Sequence, residues 1–145
     1  MIIVERDIVL PVTLDEAVSY LEDFRRTEHW DPGTVRCVRI DQGSIRPGAT
    51  WRNTSRFRGR TTDLLYRLEI RDPEHLVFVG TNKSVTATDD MRFEARPGET
   101  LLKYQASLRF KGLAKLATPF LRAEFEALAD KVAQRLPSAV AERHD

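Results

Sequence analysis

Residues Gly112–Leu136 read GLAKLATPFLRAEFEALADKVAQRL, and the rest of the chain is interpreted around them. Ala117, Leu121, Phe125, Leu128, Val132 and Leu136 recur at intervals of three or four, which puts them on one face of a helix. Lys115, Arg122, Glu126, Asp130 and Arg135 fall mostly on the other faces, and good helix formers dominate the stretch. Thr118-Pro119 interrupts the pattern. Proline suits the first helical position, so the spacing predicts a short helical turn near Leu113–Thr118, a bend, and a main helix to about Leu136. A helix of ~18 residues is ~27 Å long and can cross a small domain. Pro137-Ser138 is expected to end it, leaving AVAERHD as a frayed tail.

Upstream, Ile2–Leu10 is rich in β-branched residues and reads as a strand that Pro11 stops. Thr13-Leu14-Asp15-Glu16 is a capping box, and Leu14, Ala17, Val18 and Leu21 give one face of the helix it opens. Phe24–Trp30 reads as a second short helix or turn, and Asp31-Pro32-Gly33 as a turn. From Thr34 the hydrophobic period becomes two. Segments near 34–42, 49–58, 61–72, 75–82, 84–96 and 99–110 read as strands, separated by short Gly, Pro and Asn punctuation that suits an antiparallel meander. The order is strand, two short helices, six strands, long helix, which is an α+β chain.

The 145 residues are expected to form a single domain, 1–145, with a core that needs no staples. A net charge of +1 gives no pull toward nucleic acid or an anionic membrane. One cysteine, Cys37, excludes an internal disulfide and a cysteine-built zinc site. MIIVERDIVL carries early charges unlike a signal peptide, and no apolar run approaches the ~20 residues of a membrane span, so the chain reads as cytoplasmic. His29, His75 and His144 are scattered, and no metal is expected. No cofactor motif, phosphate loop, serine-nucleophile elbow or Cys–His pairing is present.

The chain resembles the START-like, or SRPBCC, superfamily, and within it the polyketide cyclase/dehydrase-like group. The likeness rests on Thr13-Leu14-Asp15-Glu16-Ala17-Val18 after the first strand and on Asp23-Phe24 through His29-Trp30-Asp31-Pro32-Gly33. Pro47-Gly48-Ala49-Thr50-Trp51 and Phe110-Lys111-Gly112-Leu113 continue it, so that it spans nearly the whole sequence. The resemblance implies a helix-grip fold: a curved seven-stranded antiparallel sheet around the C-terminal helix, with a deep cavity between them. It also implies a hydrophobic small-molecule partner such as a lipid, sterol, quinone or polyketide. It implies no single activity, because the fold hosts carriers, receptors and cyclases.

Alternation along the strands assigns the faces toward such a cavity. Leu102, Tyr104, Ala106, Leu108 and Phe110 share one face; Leu64, Tyr66, Leu68 and Ile70 another. Ala49, Trp51, Asn53, Ser55 and Phe57, and Val85, Ala87, Asp89, Met91 and Phe93, complete the inward set. The polar members, Asn53, Tyr66, Asp89 and Tyr104, are candidates to orient a ligand in an otherwise apolar pocket. Trp51, Met91, Phe120 and Phe125 serve either as core or as ligand contacts. Asp89 is the one candidate for acid–base chemistry, with Tyr66 or Tyr104 holding a carbonyl or enolate oxygen. Its neighbour Asp90 must then face out. Arg52, Arg56, Arg58 and Arg60 share parity and are read as an outer basic stripe. That stripe is a solvated face or a peripheral membrane contact, and it lacks the aromatic platform of single-strand nucleic-acid readers. Three readings follow: a carrier or sensor, which is preferred; a cyclase- or dehydratase-type enzyme using Asp89; and an interaction module docking on membranes or another protein.

Overall fold

A computed structural model describes residues 1–142. Strand β1 (Ile2–Leu10) leads to α1 (Leu14–Leu21), a 3-10 turn at Phe24–Arg26 and the single-turn α2 (Thr27–Trp30). The meander follows: β2 (Thr34–Arg39), β3 (Thr50–Phe57), β4 (Arg60–Asp72), β5 (His75–Thr81), β6 (Val85–Arg96) and β7 (Glu99–Phe110). A 3-10 segment, Gly112–Ala117, enters the long helix α3 (Thr118–Glu142). All neighbouring strands are antiparallel, in the order β1-β7-β6-β5-β4-β3-β2, so β1 closes onto the last strand of the meander. This is the helix-grip architecture that the resemblance implies.

Local chemistry sets the element ends. Thr13 Oγ1 accepts the Glu16 N–H at 3.3 Å, and the Glu16 carboxylate accepts the Thr13 N–H at 3.0 Å, which closes the capping box of α1. That helix buries Ala17, Val18 and Leu21, and also Tyr20, which spacing alone does not select. Phe24 stands at the centre of the solid core, its ring centroid 4.6 Å from that of Phe78 and 6.2 Å from that of Trp51. This core lies under α1, α2 and the C-terminal half of α3, whose Val132, Leu136 and Val140 belong to it, and it fills one end of the sheet's inner face. The N-terminal half of α3 covers the other end.

Three sequence-based expectations are corrected. First, Pro137 does not end α3, which continues to Glu142. Proline inside a helix forfeits one hydrogen bond and costs ~3 kcal/mol. Here Leu136 and Val140, one turn apart and both fully buried, hold the helix through it. Of the expected frayed tail, Ala139–Glu142 is helical, and residues 143–145, including His144, lie outside the described residues. Second, Ile70 does not point inward. A bulge between Leu68 and Ile70 shifts the register of β4 on β5, so Ile70 turns to solvent and Arg71 turns toward α1, where its Nε donates to Glu22 at 2.9 Å.

Third, the four arginines do not form one stripe. Arg58 and Gly59 make the two-residue turn between β3 and β4, both with positive φ (53° and 77°), as a tight hairpin of this twist requires. Phe57 pairs with Arg60 across that turn, and paired residues share a face. Arg52 and Arg56 therefore face outward, Arg60 takes the side of the cavity-facing Phe57, and Arg58 reaches α3 to pair with Glu124.

In α3 the buried residues are Leu121, Val132, Leu136 and Val140, whereas Phe125 and Leu128 are only half-buried. Leu136→Ala should therefore destabilise the fold by about 2–5 kcal/mol, and Phe125→Ala by clearly less, because one side of its ring already meets empty space. Urea unfolding measures both, and a larger loss at Phe125 than at Leu136 would contradict this division of α3.

Candidate functional site

Between α3 and the half of the sheet that the short helices leave uncovered is a cavity of about 260 Å³. Its walls come from β1, β3, β4, β6, β7 and one face of α3, and apart from a few polar side chains they are apolar. At one end Phe57, Phe110 and Phe125 meet, with Phe57 and Phe125 stacked at 5.0 Å and nearly parallel. At the other end lie Asp31, Tyr66, Asp89 and Tyr104. The next inward residues along these strands, Leu68, Met91 and Leu102, are fully buried in the solid core, so the four polar residues mark the cavity's closed floor.

Each is held by a neighbour whose identity matters. The Tyr66 ring lies flat against Gly80, its register partner: a Cβ at Gly80 would come 2.5 Å from the ring. Phe24 covers the ring's other side at 4.3 Å between centroids. The edge-on indole of Trp30 fixes Tyr104. Tyr104 pairs directly with Met91, and its hydroxyl donates to Oδ1 of Asp89, its diagonal neighbour. Asp89 lies mid-strand on the inner face; Asp90 faces out and meets His75 at 2.8 Å.

Asp31 follows the final turn of α2. The Gly33 N–H donates to its Oδ1 at 3.1 Å and the Thr34 hydroxyl to its Oδ2 at 2.8 Å. Thr34 in turn accepts from the Asn53 amide at 3.1 Å; that amide also donates to Thr27 at 3.2 Å, and its oxygen accepts from Ser55 at 2.7 Å. This chain of bonds links Ser55 and Asp31, both at the cavity wall, through a buried amide whose bonding capacity is used on both ends.

The electrostatics follow from burial. Loss of water raises the Asp89 pKa to about 7; the bond from Tyr104 opposes the rise, and the nearby Asp31 charge adds to it. Burial also raises Asp31, partly offset by the bonds from Thr34 and Gly33 and by the Arg135 charge. Burial, followed by the charge of Asp89, holds both tyrosines well above the ordinary phenol value, so they remain neutral donors. Tyr104 spends its proton on Asp89, while the Tyr66 hydroxyl has no protein partner among the described residues. Burial lifts the Cys37 thiol to about 11, which leaves it protonated and a poor nucleophile.

Of the residues singled out from sequence, Tyr66, Asp89, Tyr104 and Phe125 line the cavity. Trp51 and Met91 are fully buried in the solid core, Trp51 donating through Nε1 to Asp23 at 3.2 Å. Asn53 acts behind the wall through the chain of bonds above. Phe120 is 73% exposed on the outside of α3, one residue out of phase with buried Leu121. Asp31, which the sequence reading assigns to a turn alone, also lines the cavity, and no strand alternation reaches it because it precedes β2. Among the described residues no His, Cys, Asp and Glu side chains cluster as a metal site, and no helix is long and apolar enough to cross a membrane.

Because Asp89 holds its proton to a higher pH when folded, the folded state binds more protons than the unfolded chain between about pH 4 and pH 7. Stability should decline as pH rises through that window. Asp89→Asn should flatten the decline, making the variant more stable relative to wild type at pH 8 than at pH 4, on the order of a few kcal/mol. Chemical denaturation across pH 4–8 measures this; parallel profiles for the two proteins would place Asp89 in water. Gly80→Ala should displace the Tyr66 ring, read as a change in tyrosine near-ultraviolet dichroism with the strands intact.

The profile of the family described as polyketide cyclase / dehydrase and lipid transport matches residues 1–140. No curated protein matches the chain by sequence. Among solved structures, a START superfamily protein from Mycobacterium smegmatis superposes with a TM-score of 0.79 at 14% identity, covering 97% of each chain. The Zhui aromatase/cyclase from a Streptomyces species superposes with a TM-score of 0.72 at 15% identity, over 95% of this chain and 90% of that one. The di-domain aromatase/cyclase StfQ of steffimycin biosynthesis gives 0.71 at 14% identity, over 99% of this chain and 51% of that one. These identities establish a shared fold, and the profile match establishes the lineage: the chain belongs to the polyketide cyclase/dehydrase and lipid transport family of START-like proteins.

Proposed function

We propose that this chain binds a hydrophobic small molecule bearing an oxygen function, with its apolar body along the cavity and its oxygen at the Tyr66 hydroxyl. The observation that supports this most is the polarity gradient: apolar walls, an aromatic end, and a floor holding one phenol with an unused proton. A ligand pocket is typically apolar with few, placed polar groups, and this one, at about 260 Å³, lies just below the usual ~300–1,000 Å³ range. That size favours a ring system or a medium acyl chain over a whole phospholipid. Quinones, polyketides and fatty acyl compounds all have the required chemistry.

A second reading, acid–base chemistry of the cyclase or dehydratase kind, is favoured by one observation. Asp89 has its pKa near 7 and touches a neutral phenol, so it can both accept and return a proton near neutral pH. Tyr66 would hold the substrate carbonyl, and the proton removed from an adjacent carbon would pass to Asp89. The names of the aromatase/cyclase structures fit this reading, at identities that carry the fold alone.

Displacement of a fluorescent fatty acid or quinone tests the first reading. Wild type should bind. Ala106→Phe should fill the cavity and abolish binding without unfolding, and Tyr66→Phe should weaken oxygenated ligands by roughly five- to tenfold while leaving pure hydrocarbons unaffected. Asp89→Asn should change retention little. Failure of every apolar probe on folded wild type would end the proposal. For the second reading, conversion of a poly-β-ketone substrate should fall ~10²–10⁴-fold in Asp89→Asn; retained turnover would remove Asp89 from the chemistry.

A further inference from the structure

The exposed side chains around the start of α3 form a surface that neither the fold nor the cavity uses. Leu113 is 86% exposed, and Leu116 and Phe120 are each 73% exposed. In a 3-10 segment residues three apart eclipse one another, so Leu113 and Leu116 point the same way, and Phe120 follows four residues later at the first turn of α3. The opposite side of the same stretch is anchored: Ala117 and Leu121 pack in the cluster with Phe57, Phe110 and Phe125. Three large apolar side chains are thus held outward on a backbone fixed from behind, beside the aromatic end of the cavity.

The charges within this stretch have one sign. Lys115 and Arg122 are exposed within the stretch, and no Asp or Glu occurs from residue 100 to residue 123. Arg60 is exposed at the tip of the β3–β4 hairpin, which contacts α3 through the Phe57–Phe125 stack and the Arg58–Glu124 pair. Glu124, the first acidic residue beyond, is engaged by Arg58. Lys111 is not free, since its Nζ donates to Thr81 and Asn82 at 3.0 Å.

We propose that Leu113, Leu116 and Phe120 insert into the interfacial region of an anionic phospholipid bilayer while Lys115, Arg122 and Arg60 meet its headgroups, so that the aromatic end of the cavity faces the membrane. Apolar side chains flanked by cations match such a surface on both counts. A second protein copy is a poorer match: three side chains fall well short of the ~800 Å² per partner of a stable interface, and like-charged flanks repel. The proposal rests on this surface alone and stands whether or not the cavity ligand is identified. It also moves membrane contact away from the convex face that carries Arg52 and Arg56.

Co-sedimentation of the full chain with vesicles tests it, using phosphatidylcholine alone and phosphatidylcholine containing about one-third phosphatidylserine. Wild type should bind the anionic vesicles, less so at high salt, and the neutral ones weakly. The triple variant Leu113→Ser, Leu116→Ser, Phe120→Ser should lose anionic-vesicle binding by at least about tenfold. Lys115→Gln with Arg122→Gln should lose on the order of tenfold on anionic vesicles only, and Arg52→Gln with Arg56→Gln should bind like wild type. All the substituted side chains are exposed, and circular dichroism verifies each fold. Absence of wild-type binding overturns the proposal, as does binding that survives the triple variant or is lost in the Arg52/Arg56 control. Reversible self-association that the triple variant abolishes, without vesicle binding, overturns it in favour of a second copy.

Discussion

A single buried-side charge governs how α3 meets the sheet. Arg6 occupies the inward parity of β1 between Val4 and Ile8, a position that alternation reserves for an apolar residue. Its guanidinium reaches across to α3, donating to Asp130 at 3.0 Å, to the Glu126 carboxylate at 2.9 Å and to the Glu126 backbone oxygen at 3.0 Å. Glu126 and Asp130 are four residues apart and so share one helix face, which fits them to a planar fork. The fork ties one face of α3 to the edge strand, and Val132, Leu136 and Val140 pack the C-terminal half of the helix into the solid core. Beyond these attachments part of the inner face of β3, β4, β6 and β7 stays uncovered, and the cavity lies there.

The floor of that cavity is arranged by parts that look purely structural. Gly80 makes room for a flat Tyr66, Trp30 props Tyr104, and Asn53 links Ser55 to Thr34 and Asp31. Gly80 and Trp30 would not be selected as site residues by their chemistry, and Asn53, selected as a ligand contact, acts from behind the wall. Yet each determines where a phenol or carboxyl sits, and a pocket's polar groups act only at defined positions. Burial raises the proton affinity of both carboxyls, the Asp31 charge adds to that of Asp89, and burial followed by the charge of Asp89 keeps the phenols neutral.

Most of the architecture was legible because its signals are local. β-Branched richness located β1, period-two patterning located β2 to β7, the capping box located α1, and three- and four-residue spacing set the phase of α3 correctly enough to place Leu121, Val132 and Leu136 inside. Two misreadings depend on packing or pairing beyond the local pattern: burial of Val140 carries α3 through Pro137, and the register of β5 moves Ile70 outward. The third is local: the turn at Arg58-Gly59 redistributes four arginines that share parity. The cavity-facing position of Tyr66, Asp89 and Tyr104 is legible because polar residues on apolar strand faces are conspicuous. That of Asp31 is not, because an Asp before Pro-Gly has an adequate explanation as a turn residue.

The floor geometry also constrains how binding and chemistry relate. A ligand that fills the apolar walls displaces whatever water reaches Asp89, so its carboxyl is driven further toward the protonated form. In a pure binder this is sufficient: a neutral Asp89 and two neutral phenols accommodate an apolar body with one oxygen. Catalysis asks more, because it requires interactions stronger in the transition state than in the bound ground state. An enolate forming at Tyr66 would be stabilised by that phenol but opposed by negative charge on Asp31 and Asp89. Proton removal by Asp89 neutralises one of those charges at the moment the enolate appears, so the net charge of the floor is conserved along the step. Asp31, tied by Gly33 and Thr34 and influenced by Arg135, then sets how costly the enolate is. The same four side chains therefore suit a neutral ligand at rest, and they suit a reaction only where a proton moves toward Asp89 as charge moves toward Tyr66.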